Sequence, residues 1–382
     1  MKINFKTSAT LFLAGLLVFS SCKQKEEEET AGAIELSGDQ NTPRTLENRF
    51  ESLTTPDYIV RGTFSINAAV TIEPGTVIVM APGSQIIVDG SGSLKSVGTA
   101  ALPIRFTGES KSAGSWNKIL FMSNNANNQM IYTIIEHGGG DGSYDASVYC
   151  YQNGRLAMSN STIRHGNNYG ILVYTPEFTL SDFSNNTIHD IQLAPALIQP
   201  SHIDKFDGTF SAYDNGYNRI EVDYGEIGTT KTIHSTMVPY FIRTGNLDVV
   251  APVELEPGVN MTMGPGSGVS VSGSGSFKAI GSVSNPITIT GEQSVNGYWN
   301  NIRFIGSNNL NNEFQYCTIS YGGGNASWDA MLYLYDNSRM RIGNSLISDS
   351  QTYGIMNYGG SNTLVDDGNN VFSNNQSGDI GN

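Results

Sequence analysis

Much of this chain is written twice. Glu73-Pro74-Gly75 recurs as Glu256-Pro257-Gly258, Gly90-Ser91-Gly92-Ser93 as Gly273-Ser274-Gly275-Ser276, and Trp116-Asn117 as Trp299-Asn300, each at an offset of 183 residues. After a one-residue insertion the offset becomes 184: Gly138-Gly139-Gly140 matches Gly322-Gly323-Gly324, and Tyr169-Gly170-Ile171 matches Tyr353-Gly354-Ile355. Self-similarity on this scale restricts the chain to repeat architectures, in which each unit buries its apolar surface against its neighbours. It also supplies an internal control, because a residue present in one copy only is not one the fold requires.

A finer period runs inside each copy. Thr133-Ile134-Ile135 is followed 28 residues later by Ser161-Thr162-Ile163 and 25 later again by Asn186-Thr187-Ile188; copy two repeats the series as Cys317-Thr318-Ile319, Ser345-Leu346-Ile347 and Asn370-Val371-Phe372. Between these points lie short apolar runs such as Val77-Ile78-Val79 and Ile119-Leu120-Phe121, separated by Gly, Asn, Ser and Pro. That is the signature of many short strands joined by tight turns. Two or three strands in about 25 residues make one turn of a parallel β-helix, so the chain is expected to be all-β. Asn160, Asn185, Asn344 and Asn369 each stand three residues before an inward apolar residue. Stacked one turn above another, they are expected to form a ladder at a left-handed turn position, a conformation that asparagine tolerates.

The run Ile72-Glu73-Pro74-Gly75-Thr76-Val77-Ile78-Val79, followed by Gly90-Ser91-Gly92-Ser93-Leu94, Pro103-Ile104-Arg105-Phe106-Thr107-Gly108 and Trp116-Asn117-Lys118-Ile119-Leu120-Phe121, resembles the right-handed parallel β-helix lipoproteins of Bacteroidetes, within the broad pectate-lyase-like superfamily. The resemblance spans roughly 56–190 and 239–382. It implies a right-handed β-solenoid built from two tandem copies, and it leaves function open, since the superfamily hosts lyases, hydrolases, adhesins and inert scaffolds. Five segments are expected: a signal peptide over 1–21, an acidic flexible tether over 22–45, β-helix copy one over 46–190, a lead-in over 191–238 and copy two over 239–382.

The address is read from the N-terminus. Lys2 and Lys6 precede an apolar stretch, Ala9 to Phe19, that is too short to span a bilayer, and Ser20-Ser21 then lead into Cys22. This resembles a bacterial lipoprotein signal, which makes Cys22 the expected site of lipidation. Lys23-Gln24-Lys25-Glu26-Glu27-Glu28-Glu29 is a solvated charge run that also resembles a surface-export signal, so outer-membrane, cell-surface display is expected. The net charge of −14 becomes −16 without residues 1–21, which disfavours nucleic acid as a partner. Cys150 and Cys317 fall at different repeat positions and are expected to be buried free thiols.

The candidate ligand-binding residues are Tyr144 and Asp145 in copy one and their counterparts Trp328 and Asp329 in copy two. Each pair follows the triple glycine, and tyrosines come after it: Tyr149 and Tyr151, then Tyr333 and Tyr335. An aromatic beside a carboxylate suits a sugar, stacking on its face and bonding its hydroxyls. The competing reading has these aromatics merely covering loop and strand, with Trp116 and Trp299 over a coil end. The column His137, His165, Asp190 is replaced in copy two by Tyr321, Asp349 and Asn374, so no metal site and no cofactor are expected; calcium has no supporting pattern. Glu136, Arg164 and His189 read as a surface charge ladder. The one adjacent Asp pair, Asp366-Asp367, has Asp182-Phe183 as its counterpart, too little for a lyase or hydrolase. The expectation is therefore a non-catalytic adhesin or glycan-binding scaffold, with a polysaccharide lyase or glycoside hydrolase, and a purely structural spacer, as alternatives.

Overall fold

The structure, a computed structural model, describes residues 32–142 and 145–382. The chain winds into a parallel β-solenoid of about 14 turns with almost no helix. A representative turn carries three strands, Thr162–Arg164, Tyr169–Val173 and Thr179–Ser184, one on each of three faces. Each strand pairs in parallel with its equivalent one turn away: Ile135 lies opposite Ile163, and Ile163 opposite Ile188. Register puts those isoleucines on the inside, where each is fully buried, and one continuous apolar core runs from Leu36 to Ile355. Cys150 and Cys317 are buried in it as free thiols.

Strands end where a single residue turns left-handed. Asn160, Asn185, Asn344 and Asn369 have φ of 51°, 54°, 50° and 58°, and Asn369 Nδ2 donates to Asn344 Oδ1 at 3.1 Å, one rung of the expected ladder. The column His137, His165, Asp190 is a second such position, with φ of 69°, 55° and 53°, and so is Tyr321, Asp349, Asn374. The common constraint at these positions is backbone geometry.

One segment boundary needs correction. Ile34–Gln40 and Arg44–Leu46, inside the stretch read as a tether, are strands paired in register with Tyr58–Ile66 and Ala69–Ile72, so the solenoid begins about a dozen residues earlier than residue 46. Residues 191–238, the lead-in, are part of the solenoid. They carry five strands and a 3-10 helix, Pro200–Lys205, and the stacking runs through them unbroken.

That helix changes how the copies relate. It takes the place of a third-face strand beside Thr179–Ser184, where that face's strand ladder stops, and two fresh ladders start at Gly225–Ile227 and Lys231–Ile233. The second-face ladder of copy one, Ala146–Cys150, Tyr169–Val173, Ala194–Ile198 and Ile220–Val222, continues into Tyr240–Ile242 and Asn260–Met263. By the internal offset, however, Asn260–Met263 corresponds to Val77–Met80, a first-face strand. The solenoid is one continuous body, and copy two sits one face further round it than copy one. Phe183, Phe206 and Phe210, with ring centroids 4.7–5.9 Å apart, fill the interior at this junction.

Candidate binding site

The triple glycines are close-approach residues. Trp116 and Trp299 are fully buried in the core, not laid over a coil end, and their indole N–H groups donate to the Glu136 and Ser320 carbonyls at 2.7 and 2.8 Å. A Cβ on Gly138 would stand 2.8 Å from the Trp116 ring, and one on Gly322 2.7 Å from the Trp299 ring. The glycine motif therefore serves to seat a tryptophan.

Of the four residues expected to bind, Tyr144 lies outside the described residues, as Cys22 does. Asp145 is fully buried: Oδ1 takes the Lys118 ammonium at 3.0 Å and Oδ2 accepts the Asp141 N–H at 2.7 Å, so it shapes its loop and has no oxygen left over for a ligand. Burial disfavours the Lys118 charge, but Asp141 and Asp145 outweigh it and raise the pKa. Asp329, the copy-two counterpart, is exposed and makes no side-chain hydrogen bond or ion pair among the described residues. Its partner position is Asn301, where copy one has Lys118.

Trp328 is half-buried and meets Tyr333 and Tyr335 edge-on, with centroids 4.9 and 5.7 Å away. Tyr358 completes the group at 6.1 Å from Tyr333 and 5.9 Å from Tyr335. Copy one repeats the arrangement: Tyr149, Tyr151 and Tyr174 have centroids 5.8–6.1 Å apart. The ring planes match as well, at 28° for both Tyr149–Tyr174 and Tyr333–Tyr358. Register produces each trio. Cys150 lies opposite Val173 and Leu334 opposite Asn357, which brings the next residues, Tyr151 with Tyr174 and Tyr335 with Tyr358, side by side at a corner. Tyr174, Tyr335 and Tyr358 are 44%, 40% and 53% exposed, enough for a ring face to meet a ligand, while Tyr149 and Tyr333 are pushed up to about 12 by burial and serve as the base.

Tyr174 and Tyr358 escaped the sequence reading, although both obey the 184 offset, because each lies one turn beyond the motif that drew attention. Beyond Tyr174 an open cleft of about 520 Å³ is lined by Tyr174, Asp223, Tyr224, Arg243 and Thr244, with Tyr224 63% exposed.

Other polar constellations resolve differently. Glu136 is no surface residue. Its carboxylate is buried between Arg105 and Arg164, whose Nε atoms donate to opposite oxygens at 2.7 and 2.8 Å; the two guanidiniums outweigh the effect of burial and hold its pKa below the ordinary carboxylate value. His137 and His165 stack at 5.7 Å, and Asp190 accepts from or pairs with His189 Nδ1 at 2.7 Å. Among the described residues no group of His, Cys, Asp and Glu is arranged to hold a metal ion. The carboxylates of Asp366 and Asp367 are engaged by Asn370 and Gly368 and by Gln315 and Arg341 respectively. No family model matches this chain, and no curated protein does.

Proposed function

We propose that the chain is a non-catalytic, surface-displayed scaffold that binds glycans through its two tyrosine platforms, as an adhesin of the lipid-anchored β-helix type that its sequence resembles. The observation that carries this reading is the repetition of one aromatic trio, with the same spacing and partial exposure, built on a ladder position, Tyr149 or Tyr333, whose adjoining rungs carry no aromatic. The ladder holding Tyr149 has Leu120, Leu172 and Leu197 on neighbouring turns. Tyrosine rings offer a large, stiff surface with a hydroxyl at the rim, which suits the mixed apolar and polar faces of a sugar. The membrane partner is a lipid on Cys22, with outer-membrane display through the acidic segment that follows.

The platforms lie about seven turns apart, about 34 Å at 4.8 Å per turn, on adjacent faces and on separate ladders. A single polymer reaching both must wrap partly round the solenoid. Incubating the chain from residue 32 onward with acidic and neutral polysaccharides, scoring depletion and new reducing or unsaturated ends, tests the reading. Retention without cleavage is expected. Tyr174→Ala and Tyr358→Ala should each weaken retention and the double variant abolish it, with Tyr144→Ala and Trp328→Ala adding to the loss. Cleavage would establish the lyase or hydrolase alternative, and unchanged retention in a folded double variant would remove the platforms from consideration.

A further inference from the structure

The two platforms differ in one charged residue. In copy two, Arg303 lies opposite Tyr333 in the ladder and its guanidinium carbon is 5.7 Å from the centre of the Trp328 ring. Copy one has Leu120 there, opposite Tyr149. The fold therefore accepts an apolar side chain at this place, and the arginine is an addition. It is also a costly one. Arg303 is half-buried, and no carboxylate lies within ion-pair distance of it among the described residues; its one hydrogen bond is Nε to Ser270 Oγ at 3.3 Å. Burial lowers its pKa from the ordinary value, with only the field of Asp248 opposing. A desolvated cation without an anion is unfavourable until one arrives. The cation over Tyr149 in the copy-one platform, Lys118 at 5.5 Å from the ring centre, is already neutralised by Asp141 and Asp145.

We propose that the copy-two platform is selective for acidic sugars, with Trp328, Tyr335 and Tyr358 taking the ring and the Arg303 guanidinium binding its carboxylate or sulfate. A planar guanidinium holds either oxyanion through paired N–H donors, and it does so more strongly when partly removed from water. The copy-one platform, with its cation paired, takes neutral sugars. This inference rests on the glycan-binding reading and assigns its ligand class.

The test uses native electrophoresis through gels containing alginate, chondroitin sulfate or the neutral β-glucan laminarin. All variants are made in a Tyr174→Ala background, so that copy two is read alone. Arg303→Leu, which reproduces the copy-one residue, is expected to weaken retardation by alginate, by chondroitin sulfate or by both about tenfold or more, toward the weak retardation that the copy-two rings alone give laminarin, which stays unaltered. The two acidic polymers separate carboxylate from sulfate recognition. Arg303→Lys should restore part of the loss, since charge survives but the fork does not. Thermal melts confirm that each variant folds. Equal weakening on all polymers would mean that Arg303 only props Trp328, and the inference fails. It also fails if Arg303→Leu binds the acidic polymers as the parent does while Trp328→Ala loses them, and in that case the glycan reading stands. If the unmodified chain is retarded by none of the polymers, the glycan reading itself fails and takes this one with it.

Discussion

Asn312 ties a buried corner to a strand of the neighbouring turn, Ser276–Ile280, and its removal should be costly. It is fully buried: Oδ1 accepts the Phe277 N–H at 3.1 Å, and Nδ2 donates to the Ser307 carbonyl at 3.0 Å and to Ser307 Oγ at 2.9 Å. Alanine leaves the Phe277 N–H with no partner inside the solenoid, while the Ser307 carbonyl keeps the Arg339 N–H at 3.0 Å. Such a group costs about 1–3 kcal/mol, so Asn312→Ala should destabilise by about 2 kcal/mol. The internal duplication provides a second measurement of the same quantity. Asn128, also fully buried, accepts the Leu94 N–H at 3.0 Å and donates to the Ser123 carbonyl at 2.8 Å. There too the carbonyl keeps a second donor, the Arg155 N–H at 2.9 Å, and the corners share no partner, so the costs should add to about 4 kcal/mol, a large share of the whole stability of many domains. Urea unfolding followed by fluorescence is the assay, because Trp116 and Trp299 are buried one in each copy; Trp116→Phe leaves reporters in copy two alone, and Trp299→Phe with Trp328→Phe leaves one in copy one alone. A loss under about 0.5 kcal/mol at both corners would refute the reasoning, since water would then be satisfying the abandoned groups.

Gly322→Ala forces a methyl to within 2.7 Å of the Trp299 ring and should cost about 1–3 kcal/mol, read as a lower melting temperature together with shifted tryptophan fluorescence; an unchanged spectrum counts against the seating role. His137 is nearly buried, and burial, aided by Lys111, His165 and Arg105 and opposed by Glu136, lowers its pKa from the ordinary 6.5. The folded state thus binds its proton less readily than the unfolded one. The stability this supplies is complete above pH 6.5 and is lost as pH falls through the lowered value, and His137→Tyr, the copy-two residue, should flatten the melting profile below that pH. Cys22→Ala should move the protein from the detergent-extracted membrane fraction to the soluble one; continued membrane association would place the anchor elsewhere.

Fold class could be read from the chain because a solenoid is built from short-range rules. Inward isoleucines at 25-residue spacing and asparagines three residues before them need only a neighbouring turn to satisfy them, and each neighbour obeys the same rules. Azimuth could not be read. The one-face offset between copies arises because Pro200–Lys205, two turns of 3-10 helix, replaces a strand, and nothing in either copy specifies what the segment between them does to the winding. The glycine and aromatic motifs were visible as conserved between copies, but their roles depended on what packed against them. Gly138 and Gly322 proved to seat buried tryptophans, Asp145 proved to be closed off by Lys118, and Glu136 was drawn inside by two arginines from the turns on either side. The tyrosine trios appeared only when parallel register set Tyr151 beside Tyr174 and Tyr335 beside Tyr358. Periodicity states which residues face inward; which side chains meet across a corner is decided by register and winding, and those belong to the tertiary structure alone.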